Sequence, residues 1–111
     1  MNIVYNDNEI EKLCKDFKLA KKKYREKIAI RLFQAINFIE TAENLKLVID
    51  YRPFNFHDLK GDKDGQYAID IGSRKDGYRL ILLFEESKKE VFGSSINITK
   101  VIFKEMGNHY E

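Results

Sequence analysis

The sequence predicts an α+β domain, with an N-terminal helical hairpin packed on one face of a small, mainly antiparallel sheet. Three observations carry this. Apolar residues recur at helical spacing through the first half, and neither Gly nor Pro interrupts residues 9–49. From Gln66 onward the apolar period changes to two. Three strand-like segments then follow one another through polar loops, the pattern of an antiparallel meander with helices clustered before it. At 111 residues the chain is one domain spanning 1–111, with a modest core.

Asn2 to Tyr5 reads as a brief strand around Ile3 and Val4. Asn6-Asp7-Asn8 is a helix-start signal, and Asn8 with Glu11 forms a candidate capping box. One apolar stripe follows at Ile10, Leu13, Cys14, Phe17 and Tyr24, and a second at Ile28, Leu32, Ala35, Ile36 and Ile39. One long helix is an open alternative to two antiparallel helices. A reversal near Lys22 to Arg25 turns both toward one core. Thr41 is the candidate cap of a short third helical turn carrying Leu45 and Val48. Pro53, the only proline, disfavours helix at Arg52, so an extended or loop segment is expected there. Tyr67, Ile69 and Ile71 point one way, with Ala68 and Asp70 opposite. Gly72 to Gly77 is a polar turn. Tyr78 to Phe84 is apolar on both faces apart from Arg79, which predicts a central strand. Glu85 to Ser95 reads as a charged loop and Ile98 to Met106 as the last strand.

Composition excludes several classes. Apolar and aromatic residues are too plentiful for disorder. No apolar run is long enough to cross a bilayer, and the N-terminus has no apolar signal region, so no membrane association is expected. The single cysteine, Cys14, cannot form an internal disulfide, which fits a reducing cytoplasm; its place on an apolar stripe makes it a packing residue. The net charge is only +2, but basic residues crowd between Lys12 and Arg31, opposed there only by Asp16 and Glu26. Such segregation suits a polyanion or an acidic protein, although most lysine-rich helices are simply solvated.

The chemistry-bearing residues concentrate downstream. His57 and Lys60 precede the first strand of the meander, Arg79 interrupts an apolar strand, and His109 and Tyr110 stand near the C-terminus. Histidine near neutral pH moves protons, and lysine or arginine stabilises phosphate charge. RNA brings its own nucleophile, the 2′-hydroxyl. Each residue also has a structural alternative: a surface histidine beside a solvated lysine, an ion pair between Arg79 and Asp70, and a frayed terminus. Asp62, Asp64 and Gly65 lack the acid that would close a calcium loop, no Cys/His cluster suits zinc, and no Gly-Lys-Ser/Thr marks a nucleotide loop. Neither a cofactor nor a metal is expected.

The run His57-x-Leu59-Lys60-Gly61-Asp62-x-x-Gly65-Gln66-Tyr67-Ala68-Ile69, followed by Tyr78-Arg79-Leu80-Ile81, resembles the HigB branch of the RelE-like toxins of type II toxin–antitoxin pairs. Ala20-Lys21-Lys22-Lys23-Tyr24 and Thr41-Ala42-Glu43-Asn44-Leu45 are similar to that branch as well, so the resemblance covers nearly the full length. It implies a ribosome-dependent mRNA endoribonuclease that needs no metal, inhibits translation and arrests growth. By the same resemblance Arg79 and Lys60 would bind the phosphate, and His57 with one of His109 and Tyr110 would transfer protons. Arg52, Lys63 and Gln66 would contact RNA. The branch commonly ends Asp-Tyr-His, whereas this chain has Asn108-His109-Tyr110, so the order of the terminal pair is exchanged. The implied partners are the ribosome, mRNA and a helix-turn-helix antitoxin of the HigA type, through which alone the protein would reach operator DNA. Two other readings stay open. One is inhibition of DNA gyrase, as by ParE-like proteins of the same fold. The other is a degenerate toxin kept as an antitoxin-binding co-repressor.

Overall fold

The chain opens with strand β1 (Asn2–Tyr5) and three helices, α1 (Asn8–Lys15), α2 (Phe17–Tyr24) and α3 (Glu26–Thr41). The computed structural model describes residues 1–108. Asp7, rather than Asn8, caps α1: its carboxylate accepts from the Ile10 amide at 3.1 Å. The expected reversal is found at Arg25, whose backbone has φ 82° and ψ 156°. A second break falls at Asp16, an extended residue that ends α1 and caps α2 by accepting from the Leu19 amide at 3.2 Å. The predicted hairpin is therefore three helices. An aspartate broke the helix where no Gly or Pro announced it, because its side chain competes for amides of the following turn.

Thr41 closes α3 instead of opening the next helix. Its hydroxyl donates to the carbonyls of Asn37 (3.0 Å) and Phe38 (3.1 Å). Helix α4 (Leu45–Asp50) starts after Asn44. Where an extended or loop segment was expected around Pro53, a 3-10 turn at Arg52–Phe54 leads to the short strand β2 (His57–Asp58). Strands β3 (Tyr67–Ile71) and β4 (Tyr78–Leu83) come next. The supposed loop after β4 contains helix α5 (Lys88–Gly93), started by a capping box in which the Ser87 hydroxyl and Glu90 satisfy each other's amides. That Ser-x-x-Glu signal was present in the sequence. Strand β5 (Lys100–Asn108) follows.

The sheet has five strands in the order β1-β5-β4-β3-β2. It contains the expected meander of β3, β4 and β5, with β4 central, and adds β2 antiparallel to β3 and β1 parallel to β5. Its two faces differ. On one, Ile28, Leu32 and Ile39 of α3 join Tyr67, Ile69, Ile71, Leu80, Leu82, Val101 and Phe103 in the main core, together with Cys14. Each fully buried side chain of this size contributes about 1.5–3 kcal/mol. The Cys14 thiol is among them, its pKa pushed up to about 12 by burial. On the other face Leu59, Ala68 and Ile81 form a small separate cluster to which no helix contributes.

A bulge between β4 and β5 keeps that second face polar. Leu82 pairs with Phe103, yet Ile81 pairs with Glu105. The extra residue, Lys104, shifts the alternation so that Met106 returns to the main core while Glu105 stays outside. No helix among the described residues is long and apolar enough to cross a membrane.

Candidate functional site

The open sheet face owes its chemistry to strand alternation. Leu80 and Leu82 lie in the helix-covered core, so Arg79 and Ile81, which alternate with them, face the other way. Asp70 is the direct cross-strand partner of Arg79, and Gly107 is its partner on the opposite side. His57 pairs with Ala68 and so shares the face of Asp70. Anchors on either side hold it there: Phe54 is buried, and Phe56 stacks on Tyr67 with centroids 5.6 Å apart. Packing of Phe56 toward the core sends His57 to the open side.

These residues line a cleft of about 300 Å³, formed by Asn55, His57, Asp70, Arg74, Gly77, Tyr78 and Arg79. The His57 ring nitrogen Nδ1 lies 2.7 Å from the Asn55 carbonyl. A carbonyl only accepts, so Nδ1 carries the proton, and Nε2 of the neutral ring is left as the acceptor. Asn55 Nδ2 donates to Asp70 Oδ2 at 3.4 Å. Among the described residues no ion pair joins Asp70 to Arg79, despite their register, and the Arg79 Nε is buried without a hydrogen-bond partner. The ion-pair explanation for Arg79 thus fails. The guanidinium lines the cleft together with His57, while its Nε–H is itself closed off from solvent.

Three ion pairs, made by two aspartates, tie down segments that flank the cleft. Asp58, next to His57, pairs with Lys88 of α5 at 2.7 Å, and the hydrogen bond from Lys88 holds its carboxyl below the usual range while raising the ammonium. Across the cleft, Asp76 accepts from the Ser73 amide and hydroxyl, each at 2.9 Å, and lies 3.4 Å from Lys27 and 3.7 Å from Arg25. The Ser73 amide bond is the main cause of its lowered pKa. Position 72 favours glycine: φ is +81°, and an added Cβ would meet Asp76 Oδ2 at 2.9 Å and push on the carboxylate that braces the turn.

Arg79 also lines a second depression of about 340 Å³ along the end of β5 that β1 does not cover, with Lys23, Lys63, Lys104 and Glu105. Lys104 was missed in the sequence because regular alternation gave it no special place; the bulge did. Arg74 was missed as a turn residue. Gly107 beside Arg79 keeps this surface low: a Cβ there would meet nothing closer than 3.9 Å, so packing does not demand glycine.

Of the residues expected to act together, His57 and Arg79 share the cleft. Lys60 is exposed at the start of the 3-10 turn Gly61–Lys63 and does not line it. Lys63 lies in the second depression, where Lys104 donates to Gln66 Oε1 at 3.2 Å, and Arg52 is exposed on its own turn. His109 and Tyr110 lie outside the described residues. The basic stretch from Lys12 to Arg31 is interrupted by ion pairs, including Lys15–Glu11, Lys21–Glu26 and Lys23–Glu9. No group of three or more His, Cys, Asp or Glu among the described residues is placed to hold a metal ion.

No protein-family model matches the chain, and no curated protein matches it. Among solved structures it is similar to a YoeB/ParE toxin from Agrobacterium tumefaciens, with a TM-score of 0.51 and 14% identity, over 99% of this chain and 100% of that one. At that identity the likeness is one of fold: this chain has the α+β fold of that toxin.

Proposed function

We propose that the protein is the toxin of a type II toxin–antitoxin pair and that it acts as an endoribonuclease on mRNA at the ribosome, in the manner of the HigB branch. The observation that supports this reading is the cleft lined both by Arg79, which is not paired with its cross-strand neighbour Asp70, and by His57, whose Nε2 is left to accept a proton. In the proposed step His57 takes the proton of the RNA 2′-hydroxyl. The 2′-oxygen bonds to the adjacent phosphorus, and the bond from phosphorus to the 5′-oxygen breaks. The leaving oxygen takes a proton from His109 or Tyr110. The products are a 2′,3′-cyclic phosphate and a 5′-hydroxyl, with no water consumed and no redox change. Arg79 stabilises the charge that builds on the phosphoryl oxygens. Lys60, Lys63, Gln66 and Arg52, outside the cleft, serve as further RNA contacts.

The test is primer extension on cellular mRNAs after induction, with and without translation. Cuts inside translated frames are expected, and Arg79→Ala and His57→Gln should abolish them at matched soluble expression. Losing a transition-state phosphate contact costs on the order of 2.7–4 kcal/mol. Full toxicity from both variants, with DNA supercoiling failing before translation, would assign the protein to gyrase inhibition instead. The double name of the structural neighbour keeps that second reading in the experiment.

A further inference from the structure

We infer that Asn55 is the positioning residue of this cleft: its backbone fixes the tautomer of His57, and its side chain holds Asp70 off Arg79. The inference rests on the ribonuclease reading for its consequence and on geometry alone for its cause.

Asn55 follows the 3-10 turn in the left-handed region, with φ 47° and ψ 49°. Asparagine tolerates that region better than other residues bearing a Cβ. The conformation aims its carbonyl at the His57 ring two residues on, 2.7 Å from Nδ1. In an extended backbone at Asn55 the carbonyl would point elsewhere, and either ring nitrogen would then carry the proton. The carboxamide reaches β3, donating to Asp70 Oδ2 at 3.4 Å. Asp70 is the cross-strand partner of Arg79, the nearest position from which a carboxylate would compete for the guanidinium. With Asp70 drawn toward Asn55, the Arg79 Nε stays unpartnered. One exposed residue thus sets both proton acceptance at His57 and anion readiness at Arg79.

The backbone part of the proposal predicts an order of variants. Asn55→Gly keeps the left-handed conformation at no steric cost, whereas Asn55→Ala disfavours it. A merely structural role at this positive φ would give the same order in stability, so the deciding readout is the tautomer rather than stability. The readout is nitrogen NMR of the neutral His57 ring in the full-length protein, assigned by comparison with His109→Gln. Wild type and Asn55→Gly should show the proton on Nδ1, and Asn55→Ala a mixture of tautomers. In parallel, kcat for cleavage should fall on the order of tenfold to a hundredfold in Asn55→Ala. In Asn55→Gly, kcat should largely survive while KM rises, because Asp70 is released toward Arg79; adding Asp70→Asn should restore KM. A proton on Nε2 in the wild type, an unchanged tautomer in Asn55→Ala, or equal damage from Gly and Ala overturns the proposal. Absence of RNA cleavage by the wild type would instead overturn the ribonuclease reading, with the tautomer measurement still deciding the role of Asn55.

Discussion

Arg79 concentrates the conflict between stability and function on this sheet. A buried donor without an acceptor costs about 1–3 kcal/mol, less where the rest of the group reaches solvent. Its Nε is such a donor. Arg79→Met keeps much of the volume and removes the orphan. That variant is expected to match or exceed the wild type in chemical denaturation, by up to about 1 kcal/mol, while losing cleavage. A clear loss of stability would make Arg79 a structural residue. The oddity of a charged residue in Tyr78-Arg79-Leu80-Ile81 was legible in the sequence, because alternation alone put it opposite Leu80. Its lack of an ion pair was not: register brings Asp70 beside it, and only the pull of Asn55 shows why no bridge forms. Lys60 shows the opposite case. Its spacing from His57 suggested a shared cleft, but Gly61 opens a 3-10 turn that leaves Lys60 on the outside.

At the scale of elements, the turn between β3 and β4 responds to pH. Asp76 fastens that turn to the start of α3 through Lys27 and Arg25, and it holds the loop carrying Arg74, one wall of the cleft. Its pKa lies below the ordinary aspartate value of 3.8, chiefly through the Ser73 amide. The unfolded chain therefore binds this proton more readily than the folded one. The stabilisation is fully present above the ordinary value and is lost as pH falls through the folded one. Asp76→Asn should thus be less stable than the wild type at neutral pH, with the gap closing under acid. Urea denaturation at neutral pH and near pH 3 checks the sign, and a gap that widened in acid would refute it. The breaks at Asp16 and Arg25 belong to this scale too. Both lie inside a stretch free of Gly and Pro; the reversal at Arg25 was expected and has no side-chain cap, whereas the break at Asp16 rests on local capping that the periodicity did not show.

For the whole molecule, two consequences separate the fold from the activity. Strand β5 is paired as far as Asn108, so removing residues 109–111 leaves the described sheet complete. Such a truncation should keep its melting temperature but lose most RNA cleavage if His109 or Tyr110 supplies the leaving-group proton. Cleavage at the normal rate would leave His57 to act without them. A stoichiometric helix-turn-helix antitoxin should also co-purify with the tagged protein from its native operon, and recovery of the protein alone would count against the toxin reading. The sequence by itself determined the α+β class, the core stripes of α3, the inward face of β3 and the central place of β4. These follow from periodicity, which the chain carries locally. Only the tertiary structure decided the parallel pairing of β1 with β5, the strand β2 and the meeting of His57 with Arg79. It also decided the bulge that turns Lys104 and Glu105 outward. Those depend on register and on contacts between segments distant in sequence, where the free energy of packing, rather than local preference, selects the arrangement.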